Sequence, residues 1–338
     1  MSQRRFERQV RFAPLGEAGQ ERLQSASVLL VGCGALGGVL AQHMVRAGVG
    51  RLVLVDRDVV EETNLPRQVL FDERHALDSV PKVEAAAETL ARAGGPTVLE
   101  THAVHLDADN IHALAEGCEL LLDGTDNMPT RYLMNDYCVD QGVPWVYAGV
   151  VSGAGLLMPV IPGRGPCLRC VFRDPPPPGS LPTCDTAGVI APAVGAVASM
   201  QAGLGLRLLV DPEGIEPALI ELDAWNATVH RVRVPRDPQC PACGLRELTF
   251  LDAPETQQAV SLCGRNTVQV RGRGTRPDLD RLQRSLAGVA SDLRRSGPLL
   301  RFSVDGFRLT LFPDGRTLVE GTLDTQRALA LVDRYIGT

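Results

Sequence analysis

Short apolar runs, each followed by a glycine-rich or polar segment, recur along the first two thirds of the chain. Residues 27–56 show this pattern most clearly. An apolar run at 28–31 leads into the glycine-rich segment 32–37, then a helical pattern to about residue 47, then a second apolar run that ends at Asp56. A strand, a glycine turn, a helix and a strand in this order are typical of a parallel nucleotide-binding sheet. We therefore predict an α/β fold with a Rossmann-like sheet.

The alternation continues beyond this stretch and then changes character. It predicts strands at residues 97–103, 119–123, 143–149, 153–161, 218–223 and 228–234, and helices at 82–92, 109–115, 128–141 and 191–209. From about residue 250 the pattern predicts short strands at 266–270, 299–304, 308–312 and 317–320, and helices at 278–292 and 325–335. We predict that residues 1–250 form a domain in which the Rossmann-like sheet continues into a mixed sheet, and that residues 251–338 form a small α+β domain.

The composition excludes some classes of protein. The 338 residues carry a net charge of −6 and 44% hydrophobic residues, so a basic nucleic-acid-binding surface is not indicated. The segment MSQRRFERQVRF lacks the apolar core of a signal peptide, and no segment is expected to approach the roughly 18 uncharged apolar residues of a membrane span. We therefore expect a cytoplasmic protein with no nucleic-acid or membrane partner, whose nine cysteines stay reduced.

The glycine turn predicts a nucleotide site. Gly32 and Gly34 lack side chains, so the backbone can turn tightly and approach a phosphate or ribose, and Gly37 lets the next helix pack close to the sheet. Asp56, about 20 residues further on, can accept hydrogen bonds from ribose hydroxyls. These features leave NAD, FAD and ATP open as ligands.

Further polar residues follow strands or open helices on the ligand side of the predicted sheet. Asn64 and Arg67 come soon after Asp56. Lys82, the only lysine among 34 basic residues, precedes a helix and is a candidate phosphate contact. Asp126 and Asn127 follow the strand predicted at 119–123. Asn127 is a candidate cofactor-binding residue, and Asp126 could either hold Mg²⁺ or cap the next helix.

The cysteines suggest a second site. Two pairs with metal-ligand spacing, about 70 residues apart, predict a structural tetrahedral zinc site formed by Cys167, Cys170, Cys240 and Cys243. A redox pair is the alternative, but it would not need the second pair. Cys184 follows a proline-rich segment and is a candidate nucleophile, although a single cysteine is more often inert.

Taken together, the motifs resemble the ThiF/MoeB family of bacterial adenylyltransferases, which are related to ubiquitin-activating enzymes. The resemblance covers about residues 4–244. It rests on R-F-E-R-Q at 5–9, G-C-G-A-L-G at 32–37, V-D-R-D at 55–58, N-L-P-R-Q at 64–68, P-K-V-E-A at 81–85, D-G-T-D-N at 123–127, the two cysteine pairs and T-C-D-T-A-G-V at 183–189. The carboxy-terminal segment 302–316 also resembles the extension found on some thiazole-biosynthesis members.

This resemblance implies ATP-dependent activation of a ubiquitin-like sulfur carrier protein that ends in Gly-Gly. The carrier's carboxylate would attack the α-phosphate of ATP, giving an acyl-adenylate and pyrophosphate. The family motifs imply the following roles: Asp56 binds ribose, Asn64, Arg67 and Lys82 bind phosphates, and Asp126 holds Mg²⁺.

The resemblance also implies partners. Arg8 would reach into the site of the other subunit as an arginine finger, so a homodimer is expected. In the thiazole branch, the cysteine that matches Cys184 is implicated in a covalent link to the carrier. Because no rhodanese-like domain follows, the sulfur donor is expected to be a separate protein. The pathway stays open between thiamine, molybdenum cofactor and thiolated nucleosides.

Three other functions fit the sequence less well. An NAD(P)-dependent oxidoreductase would use the glycine turn and Asp56, but it has no use for the phosphate-binding and metal-binding residues. A non-catalytic scaffold for ubiquitin-like proteins should have lost some of these polar residues, and none is missing. An enzyme that adenylates a carboxylate on modified tRNA is disfavoured by the acidic balance and the cysteine pairs.

Overall fold

The structure is a computed structural model that describes residues 3–176, 184–252, 259–262, 266–272, 277–296 and 299–337. The chain divides into two compact units. The first contains Met1–Leu77 and Pro81–Pro254, and the second contains Asp78–Val80 and Glu255–Thr338.

An eight-stranded sheet forms the centre of the first unit. Its strands are β1 (Ser27–Val31), β2 (Arg51–Val55), β3 (Val98–His102), β4 (Leu120–Asp123), β5 (Trp145–Val151), β6 (Ala154–Val160), β7 (Leu219–Asp223) and β8 (Thr228–Val232). Their order is β3-β2-β1-β4-β5-β6-β7-β8. The pairs from β3 to β5 are parallel and those from β5 to β8 are antiparallel. The predicted Rossmann-like sheet that continues into a mixed sheet is therefore confirmed.

Helices cover both faces of this sheet. They are α1 (Glu7–Val10), α2 (Gly16–Ser25), α3 (Ala35–Ala47), α4 (Glu73–Leu77), α5 (Lys82–Ala93), α6 (Ile111–Leu114), α7 (Met128–Gln141), α8 (Leu168–Val171), α9 (Cys184–Ala187) and α10 (Ala191–Val210). The helix predicted at 128–141 is confirmed to the residue.

The alternating side chains of the strands build one core on each face. Val28 and Leu30 of β1 join the core that packs against α3 and α10, whereas Leu29 and Val31 join the core that packs against α7. All four are at most 4% exposed. A strand buried on both faces needs an unbroken apolar run, which is why the sequence 28–31 lacks polar residues.

The expectation that no segment approaches the length and hydrophobicity of a membrane span is wrong for α10. α10 has a mean hydropathy of 1.5 and is long and apolar enough, by length and composition, to cross a membrane. Here it packs along α3 and against β4, β5 and β6. Its apolar side is therefore used in the core of the first unit.

The second unit is a six-stranded sheet with two helices. Its elements are β9 (Ala259–Leu262), β10 (Thr267–Val270), α11 (Leu279–Leu286), β11 (Ser291–Ser296), β12 (Leu299–Val304), β13 (Phe307–Leu311), β14 (Thr317–Glu320) and α12 (Thr325–Tyr335). The strand order is β11-β12-β13-β14-β10-β9, antiparallel throughout. The segment Asp78–Val80 belongs to this unit, because Ser296 Oγ donates to the Asp78 carbonyl at 2.5 Å and Arg301 donates to Ser79 Oγ.

The helix predicted at 278–292 is wrong in its second half. The side chain of Asp278 caps the start of α11, and the helix ends at Leu286. Residues 291–296 form β11 instead. β11 pairs with β12 from Ser291 to Ser296. This pairing is a tertiary interaction, and it outweighs the local helical pattern of a polar segment.

Candidate functional site

The strand ends that carry the predicted ligand residues meet at one edge of the first sheet. β1, β2, β4 and β5 are parallel, so Val31, Val55, Asp123 and Val151 end on the same side. The chain passes from β1 to β2 on one side, while β4 lies on the other side of β1, which makes the β1–β4 boundary the topological switch point. Ligands of open α/β sheets bind at this point, outside the carboxyl ends of the strands.

The glycine turn between β1 and α3 permits close backbone contacts. Gly32 has a φ of 88°, and a Cβ there would lie 2.5 Å from Gly124 O. A Cβ at Gly37 would lie 1.8 Å from Gly32 O, so a side chain cannot be accommodated. Gly34 is the N-cap of α3. The turn therefore presents bare backbone and the amino-terminal end of a helix, which together suit an anion.

Two aspartates and the only lysine form a charged group at the end of β2. Asp56 accepts hydrogen bonds from Cys33 N and Asp58 N at 2.7 Å each, which ties the end of β2 to the glycine turn. Lys82 Nζ lies 3.2 Å from Asp58 Oδ2, and the lysine is only 4% exposed. Burial raises the pKa of Asp56, and the Lys82 ammonium opposes that shift. The group supplies an acceptor for ribose hydroxyls beside a fixed positive charge.

Asn64 and Arg67 lie in the turn that follows this group. Asn64 is 2% exposed, and its Oδ1 accepts a hydrogen bond from Glu61 N at 3.1 Å. This bond commits the side-chain oxygen to the turn and leaves the amide group to donate to a phosphate. Arg67 is half-buried, and its Nη1 donates to Thr63 O at 2.8 Å. The side chains of both predicted residues are therefore tied to the backbone of the same short turn.

Gln68 is a site residue that sequence reasoning did not single out. It is 5% exposed, and a Cβ at Gly34 would lie 3.6 Å from its Nε2, so it lies beside the glycine turn. Its Oε1 is buried and receives no hydrogen bond from the residues that the structure describes. Buried amide oxygens are normally hydrogen-bonded, so this atom fits a site that a ligand completes. Its place directly after Arg67 was the available signal.

Asp58 was missed in the same way. The V-D-R-D segment contains both acids, but only Asp56 has the position expected of a ribose ligand. The pairing of Asp58 with Lys82 depends on Lys82 N, which donates to Asp58 O at 2.9 Å and so brings the start of α5 to the end of β2. A contact between residues 24 positions apart is not visible in the local pattern.

The loop after β4 presents Asp126. Asn127, and not Asp126, is the N-cap of α7, because its Oδ1 accepts a hydrogen bond from Thr130 N at 3.0 Å. Asp126 is exposed at the carboxyl edge of the sheet. Its carboxylate is therefore available for a cation, while the side-chain oxygen of Asn127, predicted to bind the cofactor, holds the helix.

Arg8 lies at the opposite edge of the sheet. The ring of Phe6 packs against Gly48, where a Cβ would lie 2.5 Å from it, and Arg5 donates to two carbonyls at the end of α5 at 2.9 and 2.7 Å. Gly48 follows the last turn of α3, about 20 Å along the helix from the glycine turn. Arg8 is exposed on this anchored arm. The structure does not bring it together with the other predicted residues of its own chain.

The four paired cysteines converge as predicted. Their sulfur atoms all lie within 4.8 Å of one another, with Cys167–Cys240 at 3.5 Å, Cys170–Cys243 at 3.4 Å and Cys167–Cys170 at 4.0 Å. A tetrahedral zinc ion with Zn–S bonds of about 2.3 Å requires sulfur atoms about 3.8 Å apart. The cluster fits that ion.

Neighbouring groups hold the cluster in place. Asn135 of α7 accepts a hydrogen bond from Leu168 N at 2.8 Å, which fixes the first cysteine turn. A Cβ at Gly244 would lie 2.3 Å from Pro238 O, so the second turn needs glycine there. Hydrogen bonds from the thiols of Cys167 and Cys170 hold the pKa of Cys243 well below its usual range. A thiolate is the form that ligates zinc.

The backbone of Cys184 begins α9, and its side chain lies outside the part of the chain that the structure describes. Ser152, directly after β5, donates through N to Gly188 O at 2.9 Å and through Oγ to Ala187 O at 3.2 Å. These bonds hold the end of α9 at the carboxyl edge of the sheet. The role of Cys184 as a nucleophile stays a prediction.

Comparison with known families matches residues 6–242 to the ThiF family. Among curated proteins, the sulfur carrier protein ThiS adenylyltransferase of Bacillus subtilis strain 168 is 38% identical over 336 residues, which cover 98% of this chain and 99% of that protein. The adenylyltransferase and sulfurtransferase MOCS3 of Sus scrofa is 40% identical over 265 residues, which cover 77% of this chain and 56% of that protein.

Among solved structures, MccB of E. coli with selenomethionine-labelled MccA has a similar fold. The TM-score is 0.61 at 22% sequence identity, over 72% of this chain and 75% of that one. At this identity the similarity concerns the fold alone.

Proposed function

The chain belongs to the ThiF family, and from this premise we propose that it is an adenylyltransferase that uses ATP to activate the carboxy-terminal Gly-Gly carboxylate of a ubiquitin-like sulfur carrier protein. The products are the carrier's acyl-adenylate and pyrophosphate. The relative from Bacillus subtilis, which aligns with almost the whole chain, is named for adenylylation of the sulfur carrier ThiS.

The observation that carries this proposal is the position of Lys82. The only ammonium side chain of the protein is buried at the carboxyl edge, 3.2 Å from Asp58 and close to the ribose-binding candidate Asp56. A hydride-transfer site has no need of a buried cation there. A triphosphate does, because a carboxylate must approach an already anionic phosphorus centre.

The reaction is an in-line substitution at phosphorus. A carboxylate oxygen of the carrier forms a bond to the α-phosphorus of ATP, and the bond from that phosphorus to the bridging oxygen of pyrophosphate breaks with its electron pair. No proton has to move. Lys82, Arg67 and the amide of Asn64 would stabilise the charge that develops on the phosphate oxygens, and Asp56 would fix the ribose.

Two metal ions are part of the proposal. Asp126 would hold Mg²⁺, which would neutralise part of the triphosphate charge when bound. An exposed carboxylate at the carboxyl edge fits this ion, since Mg²⁺ prefers one or two carboxylates together with nucleotide phosphates. Cys167, Cys170, Cys240 and Cys243 would hold a structural Zn²⁺, since four cysteines leave no coordination position open for catalysis.

We further propose that the enzyme is a homodimer in which Arg8 acts in the partner's site. The arm that carries Arg8 is anchored about 20 Å from the glycine turn of its own chain, so its guanidinium cannot serve that turn directly. An exposed arginine on an anchored arm is suited to a neighbouring subunit. Mixing Arg8→Ala and Lys82→Ala subunits, each inactive alone, should then restore part of the activity.

Sulfur transfer would follow adenylation. MOCS3 of Sus scrofa is named as both an adenylyltransferase and a sulfurtransferase, and we propose that a separate protein donates the sulfur here. The Cys184 thiolate would attack the carbonyl carbon of the carrier's acyl-adenylate and displace AMP, which gives a thioester between Cys184 and the carrier. The pathway stays open between thiamine, molybdenum cofactor and thiolated nucleosides. The Cys184→Ala variant should keep adenylation and stop thiocarboxylate formation. We also propose that the enzyme is cytoplasmic, where thiols stay reduced.

The adenylation proposal is tested by isotope exchange between pyrophosphate and ATP. Exchange should depend on a carrier that ends in Gly-Gly, and the same carrier without its last glycine should not support it. If no Gly-Gly carrier from the same cell supports exchange, the protein is not an adenylyltransferase of this kind.

Lys82→Arg tests the site within that assay. The variant keeps the charge, but a larger planar guanidinium cannot take the place of a buried ammonium beside Asp58. We expect exchange to fall by about 10³-fold in a protein that still folds. Exchange close to that of the wild type would contradict the role given to the only lysine.

A further inference from the structure

Arg131 lies beneath the loop that presents Asp126 and is not part of any site described above. It belongs to α7, and only 7% of its surface is exposed. Its Nε donates to Asp123 Oδ2 at 2.9 Å. Its Nη2 donates to Thr125 O at 2.7 Å and to Ala148 O at 2.8 Å. The guanidinium therefore joins the end of β4 and the middle of β5 to the loop between β4 and α7.

Asp123 completes this arrangement from the other side. Its Oδ1 accepts hydrogen bonds from Thr125 N at 2.9 Å and from Thr125 Oγ1 at 2.7 Å, and Asp123 is fully buried. The N–H, the hydroxyl and the carbonyl of Thr125 are thus all bound by the Asp123–Arg131 pair. Since Thr125 is the residue before Asp126, the pair fixes the backbone from which the Asp126 carboxylate projects.

Close packing leaves little freedom to the guanidinium. Its carbon lies 5.2 Å from the centre of the Tyr147 ring. A Cβ at Gly149 would lie 3.4 and 3.5 Å from its two terminal nitrogens. A lysine could not replace it, because one ammonium on a flexible stem cannot reach a carboxylate and two carbonyls in the geometry of a planar fork.

We propose that Arg131 is a positioning residue, which acts through Thr125 to hold Asp126 where it binds the divalent cation that accompanies ATP. The proposal rests on the proposed adenylation and on Asp126 as the cation ligand. When a group that holds a metal ligand in position without touching the metal is removed, the affinity for the metal typically falls by about 10- to 100-fold.

The test measures pyrophosphate–ATP exchange as a function of Mg²⁺ concentration. For Arg131→Lys we expect the Mg²⁺ concentration for half-maximal exchange to rise at least about tenfold, while binding of ATP in the absence of Mg²⁺ changes less than about twofold. Thr125→Val is a second variant that keeps Arg131 and Asp123 and removes only the hydroxyl through which Thr125 donates to Asp123 Oδ1 at 2.7 Å. It should shift the Mg²⁺ requirement in the same direction by a smaller factor.

Arg164→Lys is the matched control. Arg164 also donates to three backbone carbonyls, those of Pro212, Glu213 and Ile215, at 2.9 to 3.1 Å. It follows β6, whose last residue pairs with the first residue of β5, so it lies at the opposite edge of the sheet. Its substitution should lower the unfolding temperature without moving the Mg²⁺ requirement.

The outcomes separate this inference from the proposed function. If the wild type shows no carrier-dependent exchange, adenylation fails first. If the wild type exchanges and Arg131→Lys and Thr125→Val keep its Mg²⁺ requirement, Arg131 does not position the cation ligand. If Arg131→Lys does not fold, Thr125→Val alone decides.

Discussion

Two candidate sites of the first unit are built in opposite ways. One is the carboxyl edge of the sheet with Asp56, Lys82 and Asp126, called here the nucleotide edge, and the other is the cysteine cluster. The nucleotide edge collects unlike side chains from the ends of several strands, and its shape depends on backbone contacts between glycines such as Gly32 and Gly124. The cluster collects four identical ligands from two short turns. Helix α7 connects them, since it begins at the Asp126 loop and its Asn135 holds the first cysteine turn.

We expect substitutions at the first site to affect mainly the reaction and substitutions at the second to affect mainly the stability of the fold. A residue at the nucleotide edge is proposed to contact ATP through one or two atoms, so its loss should reduce the rate of reaction more than it destabilises the fold. A cysteine of the cluster has no reacting partner, so its loss should act through unfolding. Each of the following variants tests one side of that contrast.

Cys240→Ser should have the largest effect. Cys240 is fully buried, and its sulfur lies 3.5 Å from that of Cys167. Removing one thiolate should release the zinc and lower the free energy of unfolding by at least about 5 kcal/mol, because binding of a structural zinc contributes directly to folding. Metal analysis should find one zinc per wild-type chain and less in the variant, and thermal unfolding should show the loss of stability.

Cys118→Ser is the control for this experiment. Cys118 is also buried, at 6% exposed, but it is not part of the cluster. The variant should keep its zinc and lose only the modest stability expected of a polar substitution in the core. If Cys240→Ser is as stable as Cys118→Ser and binds no zinc, the cluster is not what stabilises this part of the fold.

The same contrast explains how much could be predicted from the sequence. Periodicity located the strands of the first sheet and α7, because a strand buried on both faces and a capped helix have strong local signals. It failed at 291–296, where pairing with β12 decides the structure. The convergence of the four cysteines was predictable, because the spacing within each pair and the residue type are those of a metal site.

At the nucleotide edge, only the residues in known motifs could be predicted. Asp58, Gln68 and Arg131 were missed, although two of them lie within motifs that were noted. Their significance comes from contacts with Lys82, Gly34 and Thr125, which are brought together by the fold and not by the sequence order. No local pattern encodes a buried partner that lies on another element.

Two glycines of the same turn should respond differently to one added methyl group. Gly37→Ala places a Cβ 1.8 Å from Gly32 O, and backbone must move, so we expect a loss of at least about 3 kcal/mol in the free energy of unfolding. Gly34→Ala places it 3.6 Å from the end of Gln68, which can be accommodated, so stability should change by about 1 kcal/mol or less.

The two variants, Gly37→Ala and Gly34→Ala, should also differ in the exchange assay. In Gly34→Ala the methyl group enters the nucleotide cradle, and we expect the KM for ATP in the exchange assay to rise about tenfold in a protein that still folds. Denaturant unfolding and exchange kinetics on both variants provide the measurements. A Gly34→Ala enzyme with an unchanged KM would mean that the nucleotide does not approach this part of the turn.

Asp136→Asn should have the smallest effect. It tests whether a buried charge on α7, near the cysteine cluster, changes the free energy of unfolding. Asp136 is fully buried, accepts a hydrogen bond from Phe250 N at 3.0 Å and lies 3.9 Å from Arg169. Burial raises the pKa of its carboxyl group to about 6, although Phe250 N and Arg169 oppose the shift. Because the folded state holds this proton more tightly than the unfolded state, the group favours folding at low pH, and that contribution is lost as pH rises toward and through 6.

Between pH 5 and pH 7 the wild type should therefore lose about 1 kcal/mol relative to Asp136→Asn, in which the amide oxygen can still accept from Phe250 N and no charge develops. Denaturant unfolding of both proteins at the two pH values, with zinc present throughout, measures the difference. Any effect of pH on the cysteine ligands is common to both proteins and cancels in the comparison. A parallel pH dependence of the two proteins would show that Asp136 is already ionised at pH 5, and that the stability of this side depends on the metal and on packing rather than on a buried acid.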